Sequence, residues 1–282
     1  MIYINYNGQI VEENTPIIIA NNRGLRYGDG LFETIKFKNN TLFFIDDHFA
    51  RLWNGMKLLQ FDIPKLFTPD FLENQILHLI QKNNYPAARV RLTIIKGKGG
   101  LYDAQNHIPQ FIIECWPLPA SNGLLNENGL HCCIYYDALK PIDNFSNCKH
   151  NNYLPYTMGA IFAKNKKCND AIILNHKQQI CDSTVANIFL IKEDTIFTPP
   201  LSEGCVAGVL RHFIIKELIK LNYKIIETPI TMTVLLEADE VFLSNSIYNI
   251  RWVSCIEDKS YQNTLTQKIY FQLAQTNSSV FC

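Results

Sequence analysis

The chain opens on short-period alternation. Ile2, Ile4 and Tyr6 alternate with polar residues, Asn7-Gly8 supplies a turn dipeptide, and Ile10 and Val11 resume the apolar pattern, which predicts a hairpin. A second hairpin is predicted over Leu31 to Lys38 and Thr41 to Phe44, joined by Asn39-Asn40. Between them, Asn21 to Gly30 is rich in glycine and polar residues and reads as a loop. The period then lengthens: Ile45, Phe49, Leu52, Met56 and Leu59 recur at helical spacing behind an acidic cap at Asp46, and Phe71 to Gln81 shows a similar pattern. Arg89 to Ile95 and Gln110 to Cys115 return to strand composition.

The run from Trp116 to Gly123 holds two prolines and a glycine and breaks all periodicity. We place the domain boundary there, with a small N-terminal domain over 1–117, a linker over 118–123 and a larger C-terminal domain over 124–282. The second domain is predicted to contain a strand over His131 to Tyr136 and a helix over Tyr153 to Lys164. A β-meander follows from Ala171 through Ile188 to Ile196, turning near Asn175 to Gln178 and at Glu193-Asp194. A helix starts near Val206, with Leu210, Phe213, Ile214 and Leu218 on one face; Val241 to Ser244, Ile256 and a helical Gln262 to Gln275 close the chain. Antiparallel strands mixed with helices argue for an α+β fold rather than a regularly alternating parallel sheet.

Composition narrows the function. With 47% hydrophobic residues and 26 basic side chains against 26 acidic ones, the 282 residues carry enough apolar surface for real cores and no net charge. Nucleic acid and anionic membranes both demand a surplus of Lys and Arg, so small molecules are the expected partners. No stretch reaches the length of a spanning helix, and the start of the chain has no basic, apolar leader, so a soluble, cytoplasmic protein is expected. The nine cysteines, from Cys115 to Cys282, form no CxxC pair that would point to zinc or thioredoxin chemistry, and reduced thiols fit them best.

Four segments could carry chemistry. RGLRYGDGLFET (23–34) packs three glycines, two arginines and acids before a strand, either as a polar turn or as a backbone held in special geometry. Lys149 sits between a strand and a helix, where a lysine is either solvated or, in a desolvated cleft, a nucleophile. Asp182 precedes an apolar strand in DSTVANIF and is either a turn acid or a buried one. Gly204 and Gly208 lie before a helix, where glycine is a cap or opens a cradle of backbone N–H groups for phosphate.

Taken in order, these segments, with HFARL (48–52), GCVAGVLR (204–211) and FLSNSIYNIRWV (242–253), resemble the class IV aminotransferases. This fold-type IV family of pyridoxal-phosphate (PLP) enzymes contains branched-chain and D-amino-acid aminotransferases and aminodeoxychorismate lyases. The resemblance implies two mixed α/β domains with PLP at their interface, the larger one binding the cofactor, and a homodimer.

It also implies roles. Lys149 matches the Schiff-base lysine that moves the Cα proton, and Arg51 matches a phosphate-binding arginine. Asp182 stands where the family usually has Glu beside the pyridine nitrogen. Gly208 and Val209 match backbone positions aimed at the phosphate, Ser246 a hydroxyl supplied to it, and Tyr153 an aromatic beside the cofactor in some branches. Tyr27, Glu33 and Thr34 are expected on the substrate side. The Phe-Glu-Thr at 32–34 and KGKGGLYD (96–103) look lyase-like, with Thr34 assisting proton transfer, yet Leu101 replaces the arginine that the lyase branch carries after its double glycine. The reading chosen is transamination of an aliphatic or branched-chain amino acid with a 2-oxo acid. Aminodeoxychorismate lyase, releasing pyruvate and 4-aminobenzoate, is the alternative, and PLP binding without turnover the second.

Overall fold

The computed structural model describes residues 1–103, 105–119 and 121–281. Ala120 of the expected linker and Cys282 lie outside the described residues. The chain forms two compact units, Met1–Ala120 with Cys148–Asn152, and Ser121–Asn147 with Tyr153–Cys282. The lysine-bearing segment therefore belongs with the first unit, although it was expected in the C-terminal domain.

In the first unit the elements are β1 (Tyr3–Tyr6), β2 (Gln9–Glu12), α1 (Arg23–Tyr27), β3 (Gly30–Lys38), β4 (Thr41–Leu42), α2 (Ile45–Leu58), α3 (Pro69–Asn83), β5 (Ala87–Lys96) and β6 (Pro109–Pro117). Both hairpins form where the turn dipeptides call for them: Asn7 and Gly8, and Asn39 and Asn40, all take positive φ, as two-residue hairpin turns require. The strands make one antiparallel sheet in the order β2-β1-β6-β5-β3-β4. Along β3, Leu31, Ile35 and Phe37 turn to α2 and α3 and bury among Phe49, Leu52, Met56, Leu72 and Ile76, so Phe32, Thr34 and Lys36 fall on the opposite face.

Two local expectations are corrected. The segment from Asn21 to Gly30 contains α1, capped by Asn22, whose Oδ1 accepts the Leu25 N–H at 3.0 Å, and ended by Gly28 at φ 63°. The cap of α2 is Phe44 in the left-handed region with no side-chain hydrogen bond, while Asp46 and Asp47 sit in the first turn, where they complement the helix dipole.

The second unit contains β7 (Leu130–Lys140), α4 (Leu154–Asn165), β8 (Asp170–Asn175), β9 (Ile180–Ser183), β10 (Asn187–Lys192), β11 (Thr195–Thr198), α5 (Val209–Lys220), β12 (Lys224–Glu227), α6 (Met232–Glu237), β13 (Glu240–Asn245), β14 (Asn249–Ile256), β15 (Lys259–Ser260), α7 (Thr264–Thr276) and α8 (Ser278–Phe281). Its sheet runs β12-β11-β10-β13-β14-β7-β8-β9, with β15 paired to β14; β11/β12, β14/β7 and β7/β8 are parallel and the other pairs antiparallel.

Every residue of β8 and β9 is buried, because the sheet is covered on both faces. Leu174, Ile188, Leu190, Val241 and Leu243 pack with Leu235 of α6 on one side, and Phe189 and Phe242 stack at 4.7 Å within the sheet's other packing layer. Helix α5 starts at Val209, three residues later than its periodicity suggests, with Gly208 as N-cap. Among the described residues no helix is long and apolar enough to cross a membrane, and eight cysteines are free thiols.

Candidate active site

In the first unit the Lys149 segment is held as an added strand on the start of β3. Phe32 N–H donates to the Lys149 carbonyl at 2.9 Å, Asn151 N–H to the Gly30 carbonyl at 2.9 Å, and Leu31 and His150 form an antiparallel bridge. Gly30 makes this approach possible: a Cβ there would lie 2.2 Å from the Ile94 carbonyl oxygen and 2.7 Å from Asn151 Nδ2. The backbone pairing brings the Lys149 ammonium to 4.4 Å from the centre of the Phe32 ring, which Arg91 also meets at 3.8 Å.

On the opposite face of β3, Glu33 is 1% exposed and bound by two side chains of α2. Arg51 donates through Nε at 2.8 Å and Nη2 at 2.5 Å, and His48 Nδ1 lies 2.6 Å from Oε2. Burial pushes the Glu33 carboxyl up, but Arg51 and His48 together outweigh it and hold it at about 2. An ionised carboxylate only accepts, so His48 carries its proton on Nδ1. Burial lowers the pKa of His48 despite Glu33, with Arg51 and Lys149 pushing it the same way. Its buried Nε2 has no hydrogen-bond partner among the described residues.

Glu33 and Thr34, both expected on the substrate side, fall on opposite faces of β3. Adjacent strand residues face opposite ways, so Glu33 turns into the helix-covered side while Thr34, opposite Arg91 in the register, shares a face with Phe32. Lys36 follows on that face, and burial, aided by Lys38, pushes its ammonium down to about 8. Tyr27, also expected on the substrate side, lies 5.5 Å from Tyr102 and under the Arg23 guanidinium at 5.0 Å. Arg23 fastens the loop between β5 and β6, donating to the carbonyls of Gly99, Leu101 and Tyr102 and to Asp29 at 2.8 Å.

In the second unit Asp182 is 2% exposed, on β9, the last strand in the order of the sheet. Its Oδ2 accepts from the Tyr156 hydroxyl at 2.8 Å, the Val206 N–H at 2.9 Å and Lys140 Nζ at 3.4 Å, and its Oδ1 from Asn187 Nδ2 at 2.8 Å. Burial raises the Asp182 pKa, opposed chiefly by Lys140 and then by Val206 and Tyr156. Asn187 also donates to the Val206 carbonyl at 2.9 Å. This ties the acid to the loop that ends at Gly208, the N-cap of α5.

A Cβ on Gly208 would lie 1.9 Å from Asn187 Oδ1, so only glycine fits. No side chain caps α5, which leaves the first-turn N–H groups from Val209 onward as anion donors. Ser246 stands half-buried in the turn between β13 and β14, where Asn245 Oδ1 accepts from Ile247 and Tyr248; Ser244 Oγ nearby in sequence is buried without a partner among the described residues. Tyr153 precedes α4 with its ring 4.7 Å from that of Tyr156.

In the second unit a glycine that a side chain would fill, an uncapped helix start and a buried carboxylate suit the phosphate and ring nitrogen of a phosphorylated pyridine, and in the first unit Lys149 is an amine of the kind that links covalently to an aldehyde. His48, Lys140, Tyr156 and Asn187 were not singled out from the sequence. His48 and Asn187 lay within motifs already quoted, whereas Lys140 and Tyr156 carry no local signal.

The mixed α+β fold of the two units is that of the fold-type IV aminotransferases of known structure. The sequence model of the amino-transferase class IV family matches residues 30–256, and the chain belongs to that family. Class IV aminotransferases use PLP, and PLP is the cofactor of this enzyme. The chain is 28% identical over 272 residues to a putative branched-chain-amino-acid aminotransferase of Methanocaldococcus jannaschii, covering 95% of this chain and 93% of that protein. It is 28% identical over 236 residues to aminodeoxychorismate lyase of Vibrio harveyi, covering 83% and 85%. In three dimensions it resembles the branched-chain aminotransferase of Thermoproteus uzoniensis, with TM-score 0.85 and 23% identity over 95% of this chain and 92% of that one.

Proposed function

We propose that this enzyme transfers amino groups between an aliphatic or branched-chain amino acid and a 2-oxo acid. The observation that carries the reading is Leu101. At the tip of the loop that Arg23 fastens, the residue after the double glycine is apolar and 70% exposed, so this position offers no counter-charge to the ring carboxylate of a bulky lyase substrate. Similarity to a branched-chain aminotransferase along nearly the whole chain supports the same reading.

In this reading Lys149 would hold the cofactor covalently at rest and, once the substrate amine has displaced it, its free amine would take the substrate Cα proton as a base and return it as an acid. Phe32 bounds the space around the Lys149 amine, and Thr34 shares its strand face. Asp182 would hold the pyridine nitrogen, and Gly208, Val209 and Ser246 would hold the phosphate, with Arg51, braced by Glu33, as a further phosphate donor. The bound cofactor supplies an electron sink for the charge left when Cα loses its proton. Tyr153 remains proposed as an aromatic beside the cofactor. A cytoplasmic homodimer is part of the same proposal, and the eight free thiols support a reducing compartment.

A donor and acceptor screen with leucine, isoleucine, valine and 2-oxoglutarate, run beside pyruvate release from aminodeoxychorismate, tests this. Amino transfer without pyruvate release is expected. Pyruvate release with no amino transfer would replace it by the lyase reading, which Thr34 after Phe32-Glu33 favours. Binding of PLP with neither reaction would leave a protein without turnover.

A further inference from the structure

We propose that Lys140 is a positioning residue for the acid of the cofactor site: Asp182 acts as one half of a buried Lys140–Asp182 ion pair, braced by Tyr156, and not as an isolated carboxylate. This rests on the reading that Asp182 faces the pyridine nitrogen. The geometry that carries it is the asymmetry of the two carboxylate oxygens. Oδ2 receives Tyr156, Val206 and Lys140, with the Cys181 thiol more distant at 3.9 Å, whereas Oδ1 receives Asn187 alone among the described residues. A carboxylate oxygen has acceptor capacity for about two donors. Oδ2 is thus saturated inside the protein, and Oδ1 keeps capacity for a ring N–H.

Lys140 lies at the end of β7, 4% exposed, and its ammonium stands 5.2 Å from the centre of the Tyr156 ring as well as 3.4 Å from Asp182. The other titratable groups that face the acid come from three elements: Tyr156 on α4, Cys181 on β9 itself, and Cys205 in the loop before α5. Burial pushes all three upward, Cys205 to about 12, so each is uncharged near neutral pH. Glu203 and Arg211 act on these thiols from farther away, and Arg211 is itself engaged with Glu227 at 2.5 Å. Lys140 is therefore the one cation that an ion pair places on Asp182 among the described residues. A buried carboxylate without such a partner takes up a proton instead of keeping its charge.

The pair is read directly in the full-length apoprotein by following the Asp182 carboxyl carbon by NMR through a pH titration. In Lys140→Met the midpoint is expected to rise by about one pH unit or more, and in Lys140→Arg to stay near that of the wild type. PLP affinity, measured by fluorescence, is expected to fall about tenfold in Lys140→Met. An unchanged midpoint in Lys140→Met overturns the proposal. Should that variant not fold, the wild-type apoprotein decides: the Lys140 Nζ resonance shifts through the Asp182 midpoint if the two are coupled, and separate behaviour overturns the pairing. Asp182→Asn distinguishes the underlying reading. If it binds PLP with wild-type affinity and absorbance, Asp182 does not face the ring, whatever the titration of the ion pair shows.

Discussion

The Val206 N–H donates to Asp182 Oδ2 at 2.9 Å, and Asn187 spans the two residues by donating to Asp182 Oδ1 at 2.8 Å and to the Val206 carbonyl at 2.9 Å. The acid is thereby locked to the loop that delivers Gly208 to the N-terminus of α5. A change at either end of this connection reaches the other, because buried polar networks lose more than one bond when a member moves.

Gly208→Ala tests that connection. The new methyl group would sit 1.9 Å from Asn187 Oδ1, and since Gly208 has an ordinary φ of −65° the effect is steric and not conformational. Asn187 must move and release both of its bonds. PLP affinity is expected to drop about tenfold or more, equivalent to about 1.4 kcal/mol, in a fluorescence titration. Unchanged affinity would show that the loop does not hold the phosphate.

Asp182→Glu restores the acid usual in the family yet is expected to weaken this protein. Tyr156, Val206, Lys140 and Asn187 hold the Asp182 carboxylate where it stands, and an added methylene carries the carboxylate away from them. Leaving such buried groups without their partner costs about 1–3 kcal/mol. Urea unfolding of the apoprotein measures it, and a more stable variant would contradict this account.

Lys149→Ala removes the amine that the backbone pairing holds over Phe32. Addition of an amino donor to the PLP-loaded variant is expected to leave the visible absorbance unchanged, with turnover reduced about a thousandfold or more. Turnover near the wild-type level would remove this lysine from the chemistry.

The Glu33 cluster predicts a pH dependence of stability. Its carboxyl is lowered from 4.5 to about 2, so its ionised form contributes stability that is fully present above about pH 4.5 and lost as the pH falls through about 2. At 1.36 kcal/mol per unit the whole contribution is about 3 kcal/mol. The pKa of His48 is also lowered, from 6.5, so stability begins to fall below that pH as the unfolded chain binds a proton that folded His48 declines. The stability gap between wild type and Glu33→Gln is expected to narrow by about 2 kcal/mol between about pH 6 and pH 3 in urea unfolding. A constant gap would mean that Glu33 is not held ionised.

Arg23→Lys tests the fastening of the loop that presents Leu101. A lysine has no planar fork with which to reach Asp29 and three carbonyls at once. Amide hydrogen exchange over residues 97–103 is expected to accelerate about tenfold or more, with the β5 amides unaffected. Equal exchange in the two proteins would leave the loop held by something other than Arg23.

Elements whose signal is local were legible. Asn7-Gly8 and Asn39-Asn40 mark their hairpins because the turn geometry depends on those residues alone, and α2 and α3 announce themselves by apolar spacing. Helix α1 was hidden because five residues are too few to show a period, and β12 and α6 were passed over for the same reason. The site divides in the same way. Lys149, Asp182 and Gly208 stand in motifs that a reader of the chain can find. Lys140 and Tyr156 are ordinary residues in sequence, 42 and 26 positions from the acid they touch.

The order of apolar and polar positions, with the ordered motifs, was enough to determine the family, the mixed α+β character and the candidate lysine and acid, because each depends on neighbours within one turn or one strand. Which face of β3 Glu33 takes, which cation accompanies Asp182, and that the lysine segment pairs with the first sheet were decided by tertiary structure alone. Those outcomes depend on strand register and on parallel pairing of β7 with β8, which bring distant side chains into a dry interior where a charge must find its partner.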